Sequence, residues 1–124
     1  MALGEFEQLL LFALARLGDE AHGSTIRREL ERRAGRVVSP GAVYTALDRL
    51  ESRGLVVSWL GGGTPERGGR RRRFYRLEPE GARELHSAYA SLQRMAEGIA
   101  ERLPSLRDGP SGAPAGPAAR RRSG

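Results

Sequence analysis

The sequence contains no cysteine and no lysine, only two histidines, and a single tryptophan. Without cysteine there can be no disulfide and no thiolate metal site, and a reducing compartment is compatible. His22 and His86 are the only imidazoles, and neither belongs to a convergent nucleophile–base spacing. Both read as structural or exposed, so no enzyme activity, metal site or cofactor is expected. The apolar stretch from Leu9 to Leu17 falls well short of the roughly 20 residues that a membrane helix requires. The N-terminus lacks the basic, apolar and small-residue order of a signal peptide, which makes a cytoplasmic protein the expectation. All 21 basic residues are arginine, as a GC-rich coding bias would produce.

What the chain does have is unevenly distributed charge. Its 124 residues suit one small domain that leaves some surface for a partner to cover. The net charge is +6, and from Arg67 to Arg76 the chain carries six arginines and no acid. Such a cluster on one short segment is an electrostatic footprint for phosphate rather than a general solubility device. A second basic group, Arg120 to Arg122, closes a tail rich in Gly, Pro, Ala and Ser that begins at Pro104. The tail has too little apolar surface to offset its chain entropy, so residues 104–124 read as disordered.

Hydrophobic periodicity predicts four helices and two strands. A first helix over Glu5–Leu17 places Phe6, Leu10, Ala13, Leu14 and Leu17 on one face. Leu9 and Phe12 lie off that stripe, which marks a helix buried on two sides. A second helix runs from about Gly23 to Ala34, with Ile26, Leu30 and Ala34 stacked and Gly35 as its C-terminal cap. A third begins with Ser39 as cap and Pro40 in the first turn. Val43, Leu47 and Leu50 form its core stripe and Gly54 closes it.

Leu55–Leu60 and Arg73–Glu78 read as strands joined by a long glycine- and arginine-rich loop. The order helix, helix, hairpin is that of a winged helix-turn-helix, a device for holding duplex DNA. Gly41, Tyr44, Thr45 and Asp48, with Arg49 alongside, then face outward from the third helix, although Tyr44 also fits a plain core aromatic. Trp59, on the first strand, is either a core residue or the lining of a cleft between hairpin and fourth helix; burial preference favours the core.

The fourth helix is expected from Pro79 to about Leu103, where Pro104 stops it. Leu85, Tyr89, Leu92, Ala96, Ile99 and Leu103 recur at spacings of four and three, a heptad seam suited to pairing across a dimer. Residues 1–78 thus form the DNA-binding domain and 79–103 a dimerisation helix, with Leu9 and Phe12 of the first helix joining the seam. The fold class is mainly α with a small β-hairpin.

Four segments taken in order resemble the PadR family of bacterial transcription regulators. They are Leu3–Glu7, Gly18–Gly23, the stretch Ser39-Pro40-Gly41-Ala42-Val43-Tyr44 continuing to Glu51, and Arg73–Gly81. The likeness spans about Leu3 to Leu103 and is closest to the short subfamily with a single C-terminal helix. It implies a homodimeric winged helix-turn-helix, usually a repressor relieved by a small molecule or stress signal. Position by position, Tyr44, Thr45 and Arg49 match recognition-helix residues, Gly68 and Gly69 the wing turn, and Arg70, Arg71, Arg72 and Arg73 its basic tip. Two departures stand out: His22 and Ser24 flank Gly23 where the family often has an aromatic pair, and Glu78 replaces the usual Thr before Pro-Glu-Gly.

The expected function is therefore a DNA-binding repressor whose two recognition helices, with Ser39 and Gly41 at their leading ends, enter a pseudo-palindromic operator. A small hydrophobic or aromatic effector is the partner that the resemblance adds, with Tyr89, Met95 and Ile99 as the residues the fourth helix offers it. The rival is a winged-helix adaptor, in which the basic hairpin meets an acidic protein instead of DNA.

Overall fold

The computed structural model describes residues 2–61 and 71–109. It comprises helices α1 (Glu5–Leu17), α2 (Gly23–Ala34) and α3 (Pro40–Ser52), strands β1 (Val56–Gly61) and β2 (Arg72–Leu77), then α4 (Pro79–Ala96) and α5 (Leu103–Asp108). Short 3₁₀ turns occupy Gly18–Glu20 and Ala100–Arg102. The chain divides into two compact units, Met1–Tyr89 and Ala90–Gly124.

In the first unit, helix ends fall where local chemistry places them. Ser39 caps α3 by accepting the Ala42 N–H through its hydroxyl at 3.1 Å, with Pro40 opening the first turn. Gly35 ends α2 in the left-handed region at φ 66°, where a side chain would be strained. Leu10, Leu11 and Leu14 of α1, Ile26 and Leu30 of α2, and Val43, Leu47 and Leu50 of α3 are buried together against Leu55, Val56 and Tyr75. The expected stripes hold for α3 and most of α1 and α2. Ala34, however, is exposed at the C-terminal end of α2, while Leu11, which lies outside the stripe read from the sequence, is fully buried. Glu29 is a buried acid whose carboxylate meets Arg32 and Arg33, each at 2.8 Å. Burial alone would raise its pKa, but the two guanidiniums hold it below the usual range, so it stays charged.

The strands pair antiparallel from Val56 opposite Leu77 to Gly61 opposite Arg72, each displaced by one residue from the reading of the sequence. The hairpin is tied to the helices by a third stretch of backbone. Tyr75 donates its N–H to the Ala21 carbonyl at 2.9 Å, and His22 forms an antiparallel bridge with Phe74.

Gly81 fixes how α4 leaves the sheet. A Cβ at this position would lie 2.2 Å from the Leu55 carbonyl oxygen and 2.9 Å from a Leu77 methyl carbon. The Glu78 N–H binds the same Leu55 carbonyl at 2.9 Å, and Arg53 pairs with Glu84 at 2.9 Å. The first turn of α4 is thereby seated on the connection between α3 and β1.

In the second unit, the expectation of one helix reaching Leu103 is corrected. α4 ends at Ala96, and the Ile99 N–H closes back on the Ala96 carbonyl at 2.9 Å around Gly98, whose φ is 76°. A left-handed glycine ends a helix, and the hydrophobic repeat conceals that stop because it continues across it. Pro104, expected to terminate the helix, instead sits in the first turn of α5, where its missing N–H is harmless. The expected disorder from residue 104 therefore does not extend to 104–108, and residues 110–124 lie outside those described.

Gly81→Ala is expected to destabilise the protein by about 2 kcal/mol or more, because the obstructing atom is backbone and cannot rotate away. Thermal unfolding followed by circular dichroism should show a midpoint lowered by about 10 °C. An unchanged midpoint would mean that α4 is not seated this way.

Candidate nucleic-acid interface

The outer face of α3 presents Gly41, Tyr44 and Thr45 in its leading half and Asp48 and Arg49 further along, all exposed. A Cβ on Gly41 would meet nothing within 4 Å, so its lack of a side chain serves no packing inside the protein. It leaves a bare backbone patch that an outside surface can approach closely. Ser39 is committed to its cap as an acceptor, leaving its hydroxyl proton available to a partner. Thr45 and Arg49 make no side-chain hydrogen bond or ion pair among the described residues.

Tyr44 is neither a core aromatic nor a free contact residue. It is 41% exposed, and its phenol tip lies over Gly23, where a Cβ would come within 2.4 Å of the hydroxyl oxygen. The ring thus ties α3 to the first turn of α2. No single-sequence signal marks this contact beyond the presence of a glycine at a helix start. Beneath it, Tyr75 is buried, and its hydroxyl has no hydrogen-bond partner among the described residues. Burial, with Asp48 and Tyr44 nearby, pushes its pKa up to about 12, so the phenol remains neutral.

Of the basic wing, Arg71, Arg72 and Arg73 are described; Gly68, Gly69 and Arg70 lie outside the described residues. The visible arginines differ in what they do. Arg73 donates to the Ser58 hydroxyl at 2.9 Å, and that hydroxyl donates to the Glu51 carboxylate at 2.9 Å. Its charge is thereby partly answered from within. Arg76 lies 5.2 Å from the Trp59 ring centre, a cation–π contact. Arg71 and Arg72 are exposed and have no acidic partner among the described residues. Trp59, expected in the core, is half-buried on the outer face of the hairpin, stacked on Phe74 at 5.8 Å. Register explains this. Trp59 and Phe74 face each other across the ladder, on the side opposite to Ser58 and the buried Tyr75.

The residues assigned to a dimer seam do not share one environment. Leu85 belongs to the core of its own unit and Leu9 packs against that core. Phe12 and Tyr89 are exposed in part and meet edge to face at 5.8 Å, lining an apolar groove with Ala15, Leu77, Ala82 and His86. In the second unit Leu92 and Leu103 are exposed, whereas Ala96 and Ile99 are half-buried.

Three helices, a two-stranded wing and an exposed third-helix face beside an arginine-bearing strand define a winged helix-turn-helix regulator. The Transcriptional regulator PadR-like family model matches residues 10–87, and the chain belongs to that family. It is 39% identical over 83 residues to the transcriptional regulator Rv3488 of Mycobacterium tuberculosis, covering 65% of this chain and 71% of that protein. Among solved structures it resembles a PadR family transcription regulator from Clostridium difficile R20291. The TM-score is 0.66 at 25% identity, covering 81% of this chain and 99% of the other. It is also similar to a PadR family regulator from Eggerthella lenta, with a TM-score of 0.60 at 28% identity over 80% of this chain and 86% of the other. The chain is a transcriptional regulator, and among the described residues no helix is long and apolar enough to cross a membrane.

Glu51→Gln removes the acid behind Ser58 and should release Arg73 toward solvent. If the wing meets DNA, the slope of log K against log salt is expected to steepen by up to about 0.9, the value of one added phosphate contact. Fluorescence anisotropy across a salt series measures it. A slope unchanged from wild type would mean that the Ser58–Glu51 link does not restrain Arg73 in the complex.

Proposed function

We propose that this regulator is a homodimeric cytoplasmic repressor that binds a pseudo-palindromic operator. The observation carrying this reading is the pairing of Thr45 and Arg49, exposed on α3 with no side-chain partner among the described residues, with the exposed Arg71 and Arg72 that lead into the wing strand. Two copies of α3 enter successive major grooves roughly 34–36 Å apart. Arg49 and Thr45 read base edges there, since arginine suits guanine and threonine can touch a thymine methyl. Ser39, Gly41 and Tyr44 fit the helix against the groove wall. Arg71 to Arg73 place the wing's charge on phosphates, together with Gly68, Gly69 and Arg70 outside the described residues, which gives register and salt dependence more than sequence choice.

The dimer is formed by Leu9, Phe12, Tyr89, Leu92, Ala96, Ile99 and Leu103, with Leu85 as the inner support of that surface. The half-exposed rings of Phe12 and Tyr89 in the first unit, and the exposed Leu92 and Leu103 in the second, each support this as apolar surface that a partner copy would cover. A small hydrophobic or aromatic effector suits the groove beside Tyr89, whose lining is almost wholly apolar.

Arg49→Ala is expected to relax base preference at about one or two pairs per half-site, costing about 1–3 kcal/mol on the preferred sequence. Selection from randomised half-sites tests it, and an unaltered preference would remove Arg49 from readout. Leu92→Glu should bury an unpaired carboxylate in the dimer and shift sedimentation to the monomer, with operator binding lost alongside. A variant that remains dimeric at full DNA affinity would place the seam elsewhere.

A further inference from the structure

The outer face of α3 carries one charged group that the interface above leaves unused. The helix holds two acids, Asp48 and Glu51, and the fold treats them oppositely. Glu51 is turned toward the wing, where its carboxylate accepts the Ser58 hydroxyl proton at 2.9 Å and Arg73 binds the same hydroxyl. Asp48 is exposed, and its carboxylate makes no hydrogen bond or ion pair among the described residues. The Ser52 hydroxyl reaches only the Asp48 backbone carbonyl, at 3.0 Å. On a helix a side chain meets the residues three and four positions away, which for Asp48 are Tyr44, Thr45, Glu51 and Ser52, none of them a cation. Arg49, the next residue, projects roughly 100° further around the helix. Asp48 therefore shares its face with Gly41, Tyr44 and Thr45, the same exposed residues that stand ready for an outside surface.

A bare carboxylate on that face is repelled by phosphate and can be satisfied by a duplex in one way, through a hydrogen-bond donor on a base edge. In the major groove those donors are the N4 amino group of cytosine and the N6 amino group of adenine; guanine O6 and thymine O4 are acceptors. We propose that Asp48 is a specificity residue that reads one position of each half-site as amino against keto. It accepts from cytosine or adenine on the strand it faces and rejects guanine or thymine there. The assignment rests on the DNA-binding reading and adds to it an element that works by exclusion. Thr45 and Arg49 supply attraction, and Asp48 supplies the penalty against the wrong partner. Facing a keto group, the carboxylate loses its water, gains no donor and lies against another oxygen, a cost that the amino bases do not impose. On duplex of unrelated sequence the same charge stands near phosphates without a compensating contact, which weakens non-specific binding.

The test is selection from randomised half-sites with wild type, Asp48→Ala and Asp48→Asn, followed by fluorescence anisotropy on duplexes that differ at the selected pair. Both substitutions are exposed changes that spare the core. Wild type is expected to hold cytosine or adenine at one position and to bind duplexes with guanine or thymine there about tenfold more weakly. Asp48→Ala should lose that preference, keep the others and bind unrelated duplex more tightly. Asp48→Asn, whose amide both donates and accepts, should shift the position toward adenine. Arg49→Ala should retain the amino-against-keto position, and loss of the preference in that variant would assign it to Arg49 instead. If Asp48→Ala selects the wild-type half-site unchanged, or tightens binding to every sequence by one common factor, Asp48 reads no base and the proposal fails while the DNA-binding reading stands. A wild type that enriches no half-site at all would sink that reading, and the role of Asp48 with it.

Discussion

The arrangement of this protein depends on one short backbone seam, where Ala21 and His22 join the edge of β2. Three helices and a hairpin can each form from local signals, and the Ser58–Glu51 bond ties the hairpin to α3, but nothing local sets the wing's place against α2. The Tyr75 N–H bond to the Ala21 carbonyl and the bridge between His22 and Phe74 set it. They also satisfy backbone groups on β2 that would otherwise lie unpaired at a sheet edge. With β2 held from both sides, Tyr75 is driven into the core and Phe74 outward to meet Trp59 and His22. The same seam brings the basic strand alongside the first turn of α2, and Tyr44 closes the triangle by lying over Gly23.

Charge is then sorted by what each arginine can reach. Arg32 and Arg33 serve the buried Glu29, Arg53 serves Glu84, and Arg73 is held through Ser58 to Glu51. Arg76 rests on Trp59. Arg28, Arg49, Arg71 and Arg72 have no such internal acidic partner among the described residues. An arginine-rich composition by itself says little about phosphate, since coding bias supplies arginines everywhere. Arg16, Arg94 and Arg102 also lack an acidic partner among the described residues, so what marks Arg49, Arg71 and Arg72 is their place on α3 and at the start of the wing strand.

Much of this was legible in the sequence. Ser39-Pro40 and Gly35 are local signals, and α3 begins and α2 ends where those residues require. The hairpin strands were displaced by only one residue, because alternation marks a strand better than its ends. What was not legible were features set by tertiary contact. Trp59 looked like core from its size, but its side of the ladder is decided by a register that only pairing fixes. The heptad spacing continued through Gly98, and periodicity does not register a left-handed residue that falls between seam positions. Gly23 and Gly81 read as ordinary turn or helix-start glycines, yet each exists for a close approach by a residue distant in sequence. Among the candidate contact residues, Thr45 and Arg49 stand exposed as the pattern suggested, whereas Tyr44 and Arg73 have internal partners that no spacing rule could supply.

The central claim is that α3 and the wing engage one duplex together, twice per dimer. Hydroxyl-radical footprinting of the full-length protein on a selected genomic fragment addresses it at the level of single nucleotides. The expected result is two symmetric protected patches centred about one helical turn, 10–10.5 base pairs, apart, each with flanking backbone protection from the wing. Uniform protection without symmetry, or a saturating complex with no discrete footprint, would contradict the account.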